Sequence, residues 1–213
     1  MVNNWTCQLS HILKNSIGRD VIVNYFSIDG PLNEWIVLFH GTGGNEFSLL
    51  QIAGDIEPNA NILSCIGTVG SGEGRRFFAP LENGMLERKD FNERVEEFLM
   101  TWQQMKPTNA EKITFLGYSN GANFILGILE KAPKIADCLV LMHPSNLGYT
   151  FEEGSDVSIH ITAGSMDTLA NAGDTMKLSK QLGQQFPNTI LKLVDGGHEV
   201  RDGEIDYLRK VLK

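Results

Sequence analysis

The sequence predicts an α/β protein with a mostly parallel central sheet and helices on both faces. Short apolar runs alternate with longer amphipathic stretches along the whole chain, the order expected when strands are joined by crossover helices. The runs are near-continuously apolar rather than strictly alternating, as in strands buried on both faces. The length of 213 residues, with no repeat, linker or low-complexity tract, fits one domain over residues 1–213.

The strands are read at residues 20–26 (DVIVNYF), 35–40 (WIVLFH), 61–66 (NILSCI), 112–118 (KITFLGY), 138–142 (CLVLM), 157–163 (VSIHITA) and 190–194 (ILKLV). A helix is expected to start at Asp90, with Glu93 three residues on as an acidic capping box. Its apolar face is Phe91, Val95, Phe98, Leu99 and Trp102. Residues 119–131 form a second helix, with Phe124, Ile125, Ile128 and Leu129 inward. Leu178, Leu182 and Phe186 stripe a third. Ile205, Leu208 and Leu212 stripe a short fourth near the C-terminus.

Composition removes several function classes. The net charge is −8 and no basic tract stands out, so neither nucleic acid nor an anionic membrane surface is an expected partner. No run approaches the roughly 20 apolar residues that span a bilayer. The first 20 residues lack a basic stretch followed by an apolar one, so no secretory leader is expected. Cys65 and Cys138 lie in apolar strand runs and read as buried free thiols; with Cys7 they make an odd number. A cytoplasmic location follows as the expectation.

The chemistry begins at Gly117-Tyr118-Ser119-Asn120-Gly121. This G-x-S-x-G follows one strand directly and opens a helix directly, the setting in which a sharp turn lifts a serine hydroxyl clear of the backbone. The helix N-terminus beneath it favours the negative charge that develops in acyl transfer. The loop His40-Gly41-Thr42-Gly43-Gly44-Asn45 follows an earlier strand and suits an oxyanion site. The expected donors are the N–H groups of Asn120 and of Thr42, with Gly43 as the alternative to Thr42. His40 is expected to order that loop.

A serine nucleophile needs a base. His198, on the glycine-bearing loop after the last strand, is the choice among five histidines. His11 precedes the sheet, His160 sits mid-strand, and His143 ends a strand near Ser119, where it could line a pocket. Asp167, just past residues 157–163, is the expected acid. Asp195 is too close to His198 in sequence, Asp174 begins the next helix, and Asp137 belongs at the opposite end of the sheet. The order Ser119, Asp167, His198 is that of α/β hydrolases.

With these residues in place, the chain resembles the phospholipase/carboxylesterase group of the α/β-hydrolase superfamily. The segments carrying the likeness are HGTGGNEFSLLQIA, RRFFAPLENGMLERKDF, GYSNGANFILGIL, AGSMDTLANAGDTMKLSKQL and GGHEV, within about residues 35–210. They resemble the bacterial hydroquinone-resistance hydrolase branch more than acyl-protein thioesterases. The resemblance implies an α/β-hydrolase fold, a triad of Ser119, Asp167 and His198, oxyanion donors at Thr42 and Asn120, and carboxylesterase activity without cofactor or metal. One departure is that Thr168-Leu169-Ala170-Asn171 follows the acid where relatives often carry proline.

No insertion is long enough for a large lid domain, so the pocket is expected to be shallow and open. Residues 67–90 form one wall. Arg75 or Arg76 there is expected to meet an acidic group on a small ester of short to medium acyl length. Phe77 would pack on the substrate's apolar part, with Gly43 and His143 also bordering it. The same machinery serves a thioesterase, lysophospholipase or lactone hydrolase, and a catalytically silent binding protein could keep the fold. GTVGSGEG at 67–74 lacks both nucleotide-binding patterns and the helix they need. His198-Glu199 does not extend to H-E-x-x-H. A homodimer is compatible with the sequence, which does not determine the assembly.

Overall fold

The computed structural model describes residues 11–14, 20–23 and 25–212. Cys7 and most of the stretch read for a leader lie outside them. Among the described residues, nine strands and five α-helices follow in chain order: β1 (His11–Lys14), β2 (Asp20–Val23), β3 (Tyr25–Ile28), β4 (Glu34–Phe39), α1 (Leu50–Ile56), β5 (Asn61–Cys65), α2 (Arg88–Met105), β6 (Lys112–Tyr118), α3 (Asn120–Lys131), β7 (Cys138–Met142), β8 (Ser158–Gly164), α4 (Ala172–Gln185), β9 (Thr189–Val194) and α5 (Asp202–Val211). Strands β3 to β9 build one sheet in the order β3-β5-β4-β6-β7-β8-β9. All its pairs are parallel except β3 with β5.

The apolar runs read as two-faced strands are two-faced. Val37, Phe39, Phe115 and Leu141 point into one core with helices α2, α3 and α4. Ile36, Leu38, Leu116, Val140 and Met142 point into the other, against Leu49, Ala53 and Ile56 of the α1 region and Ile205 and Leu208 of α5. Phe39 anchors the first core, with the rings of Phe77, Phe98, Phe115 and Phe124 centred 5.3–6.2 Å away.

Three local readings differ. The single strand expected over 20–26 is divided between β2, which pairs with β1 in a separate two-stranded sheet, and β3 at the edge of the main sheet. Helix α1 was not anticipated; it has seven residues and no side-chain cap, so neither length nor capping announces it. Helix α2 is capped by Glu87, whose carboxylate accepts from the N–H groups of Lys89 and Asp90. Asp90 instead lies inside the helix and accepts from Ala79 N–H at 2.7 Å, tying the preceding wall to the helix.

Topology decides where a site can form. The chain leaves β4 for β5 on one side and returns to β6 on the other. The loops after β4 and β6 therefore diverge, opening a crevice at the carboxyl ends of these strands. The turn between β6 and α3 fits there because its glycines have no side chain. A Cβ on Gly121 would fall 2.0 Å from the Phe39 carbonyl oxygen, and one on Gly117 would fall 2.7 Å from the Ala122 nitrogen.

Two substitutions separate packing from propensity. Gly121→Ala should destabilise the fold by about 3 kcal/mol or more, because backbone must move. Gly183→Ala on α4, where a Cβ meets nothing within 4 Å, should stabilise by about 0.5–1 kcal/mol. In thermal melts that is a rise of roughly 1–4 °C.

Candidate active site

Ser119 stands at the point where β6 turns into α3, with φ 51° and ψ −110°. A non-glycine residue there is strained, and such strain is held only where the surroundings impose it. Here its N–H donates to Met142 O at 2.8 Å and its carbonyl accepts from Asn123 at 2.9 Å. The hydroxyl is thereby held 2.8 Å from His198 Nε2. His198 Nδ1 lies 2.7 Å from Asp167 Oδ2. A carboxylate oxygen only accepts, so Nδ1 carries a hydrogen, and in the neutral ring the Nε2 lone pair faces the serine.

Asp167 is 4% exposed. Its Oδ1 accepts from the N–H groups of Leu169 and Ala170, both at 2.8 Å, and its Oδ2 also faces His143 Nδ1 at 3.1 Å. Burial pushes the carboxyl pKa up. The Ala170 N–H, the His198 imidazole, the Leu169 N–H and His143 outweigh it and hold the group below the ordinary aspartate value. The loops bearing Asp167 and His198 meet because Gly164 has no side chain: a Cβ there would fall 2.0 Å from Gly197 O. Met166 N–H then donates to Gly196 O at 2.9 Å, and Tyr118 O–H donates to His198 O at 2.8 Å. Burial, then the Asp167 and Glu204 charges, push the Tyr118 pKa up, so it remains a donor.

The glycine loop after β4 is fastened from several sides. Gly67 N–H donates to His40 Nε2 at 3.0 Å, so the His40 hydrogen sits on Nδ1 and donates to Gly41 O at 2.7 Å. Burial keeps that ring neutral by lowering its pKa. Gly43 N–H donates to Arg75 O at 2.8 Å and Gly44 N–H to Gly41 O at 3.0 Å. Among the described residues, the N–H groups of Thr42 and Asn120 donate to no acceptor. Both residues border, with Ser119 and His198, one cavity of about 360 Å³.

Known proteins resemble this chain across most of its length. MhqD of Bacillus subtilis, which bears a hydrolase name, is 29% identical over 189 residues, covering 86% of this chain and 94% of MhqD. The crystal structure of Atu2452 from Agrobacterium tumefaciens, a protein of unknown function, is 31% identical with a TM-score of 0.77, covering 87% and 93%. The Bacillus cereus carboxylesterase structure is 26% identical with a TM-score of 0.79, covering 89% and 92%. The chain is a hydrolase with the α/β-hydrolase fold, similar to the phospholipase/carboxylesterase family. No family model matches it.

In this hydrolase the cavity wall differs from the sequence-based expectation. Arg76 and Phe78 line the cavity, with Leu81, Leu147 and Leu169. Phe77 does not: it is 5% exposed and stacks on Phe124, ring centres 5.1 Å apart. Its N–H donates to Asn120 Oδ1 at 2.8 Å, so it ties the wall to the serine turn. Phe78, itself 3% exposed, takes the place at the cavity expected of Phe77. Arg75 and Gly43 stand outside the lining, joined through backbone, and that bond removes Gly43 as an alternative oxyanion donor.

His143 is the largest correction. It is fully buried and stands outside the lining of this cavity; its Nε2 lies 3.1 Å from Glu204 Oε2, beyond the Asp167 contact. Asn123, which lines the cavity and accepts from Ser145 N–H at 2.9 Å, was not anticipated. Its position four residues after Ser119 on α3 was the available signal. His160 meets Ser158 and Tyr207 on the sheet face. Asp174 lies in the first turn of α4, which is capped by Asn171 rather than by itself. His143, Asp167 and His198 offer atoms within 4.8 Å of one another. Both histidine nitrogens facing Asp167 carry hydrogen toward its oxygen, so hydrogen bonds account for the cluster.

The depressed Asp167 pKa has a sign that can be checked. Asp167→Asn should lower unfolding free energy at pH 7 by about 1–3 kcal/mol, since an amide presents its N–H₂ to two imidazole donors. The ionised group stabilises above the unfolded aspartate pKa of about 3.9. The gap between wild type and variant should close as pH falls through the lower folded-state value. Urea titrations at several pH values measure it; a gap that does not narrow as pH falls below the unfolded value contradicts the assignment.

Proposed function

We propose that this hydrolase cleaves carboxylic esters by acyl transfer to Ser119. The observation that carries the reading is the 2.8 Å contact between the strained, cavity-facing serine hydroxyl and His198 Nε2. The Ser119 oxygen attacks the ester carbonyl carbon while its proton passes to His198 Nε2. The carbonyl oxygen becomes an oxyanion, accepted by the N–H groups of Thr42 and Asn120. Asp167 holds the His198 tautomer and stabilises the imidazolium. Collapse expels the alcohol, which leaves with the His198 proton. Water then attacks the acyl-enzyme carbon, giving one proton to His198, and collapse returns it to Ser119 as the acid departs.

The cavity supports a small substrate. Phe78, Leu81, Leu147 and Leu169 offer apolar contact to a short or medium acyl group, and Arg76 offers a cation at the same wall. Arg76 favours an ester that also carries a carboxylate over a neutral one.

Fluorophosphonate should label Ser119 in the wild type and leave Ser119→Ala unlabelled. Ser119→Ala should lose about 10⁴-fold or more in kcat with an unchanged melting curve. A folded wild type that takes no label supports a silent binding protein instead. Arg76→Met should raise KM about tenfold for an anionic ester and leave a neutral ester of the same acyl length unchanged. Equal losses on both overturn the role of Arg76.

A further inference from the structure

Behind the serine, histidine and aspartate lies a second charged pair that the reaction above does not use. Its starting point is a repeated piece of backbone. Strands β6 and β7 pair Tyr118 with Met142, so Ser119 and His143 stand one step beyond the same register. Both have φ 51°. As Ser119 N–H donates to Met142 O, His143 N–H donates to Thr162 O at 2.9 Å. The first turn presents its side chain to the cavity. The second presents an imidazole to a site with no access to solvent, where His143 and Glu204 are each 0% exposed.

The two ring nitrogens of His143 face two different carboxylates, Asp167 Oδ2 and Glu204 Oε2, each at 3.1 Å. Glu204 comes from the first turn of α5, and its other oxygen accepts from the Thr162 hydroxyl. With both carboxyls ionised, their oxygens accept and both ring nitrogens donate. A neutral ring would set a lone pair against a carboxylate and leave two buried anions without a cation between them, an arrangement that costs far more than the paired one.

We infer that His143 is an imidazolium clamped between Asp167 and Glu204, a positioning residue whose fixed positive charge lowers the pH at which His198 becomes a base. The inference rests on the roles proposed for Ser119, His198 and Asp167 and adds a charge behind them. His143 and His198 share one oxygen, Asp167 Oδ2, and their rings are 5.4 Å apart. The cation draws on the lone pairs that would otherwise stabilise protonated His198, and it repels that second positive charge. The other groups facing His143 do not supply this charge. Tyr118, at the end of β6 with its ring 6.0 Å away, is a neutral donor to the His198 carbonyl. Thr162 of β8 is uncharged, and Glu199, on the loop after β9, is exposed and paired with Arg201. Burial opposes a charge on His143, but the Glu204 and Asp167 bonds and charges outweigh it and raise its pKa above the ordinary histidine value.

Two readouts test this, and the first needs no turnover. In ¹⁵N-histidine-labelled wild type, one imidazole should keep both ring nitrogens protonated above the ordinary histidine pKa of about 6.5, and its signal should vanish in His143→Gln. A neutral His143 at pH 7 overturns the inference, whether or not the protein hydrolyses esters; an imidazolium in a chain that fails to label at Ser119 would overturn only the proposed reaction. The second readout uses the double variant His143→Gln/Glu204→Gln, which removes both charges and leaves no buried ion unpaired. With p-nitrophenyl acetate, the acid limb of its kcat/KM profile should move up by about one pH unit. A profile that overlays the wild type overturns the inference, because a merely structural His143 would leave the limb in place. Should the double variant fail to fold, the wild-type spectrum decides alone.

Discussion

The carboxylate of Asp167 is nearly sealed from water, and burying an ion is tolerable only if its oxygens are fully occupied. Much of the site's geometry can be traced to meeting that demand. Two backbone N–H groups from its own loop, at Leu169 and Ala170, take one oxygen, and the imidazoles of His198 and His143 take the other. Once Oδ2 accepts from His198 Nδ1, the neutral ring turns its Nε2 lone pair toward Ser119. The direction of the Ser119 hydrogen bond then follows. The β8 and β9 loops can approach closely enough only because Gly164 has no Cβ to strike Gly197. A backbone constraint thus sets side-chain chemistry.

The sheet provides the second half of the arrangement. Reversal of strand order around β4 opens the crevice where the glycine loop and the serine turn face each other. These two segments are not joined directly. His40 binds Gly67, Gly43 binds Arg75, and Phe77 binds Asn120, so the segment that walls the cavity also ties the loop to the turn. This wall therefore has two faces with different duties. Phe77 packs in the aromatic core against Phe39 and Phe124, while Phe78, buried in the same core, also borders the substrate space with Arg76. A change in that wall is expected to act on orientation of the amide donors as well as on substrate contact.

Legibility in the sequence divided along the range of the interaction. Gly117 to Gly121 could be read because a strand, a turn and a helix meet within a few residues, and the glycines there answer to local crowding. Strand β6 and strand β7 were placed to the residue because continuous apolar runs end abruptly. Helix α1 escaped because it is short and uncapped. The start of α2 was misplaced because Asp90 has the character of a cap but spends its carboxylate on Ala79, eleven residues away.

By itself the sequence determined the succession of strands and helices, the two-faced burial of the sheet, and which residues could carry acyl-transfer chemistry. Periodicity and turn chemistry act over a few residues, so they leave a direct trace in the order of amino acids. Tertiary structure alone decided which way a side chain points from the end of a strand, and hence which distant groups it meets. His143 read as a residue bordering the pocket until its backbone, turned like that of Ser119, placed its ring between Asp167 and Glu204, 24 and 61 residues away. Hydrogen bonds of that range depend on how β7, β8 and α5 pack, and no local pattern encodes that packing.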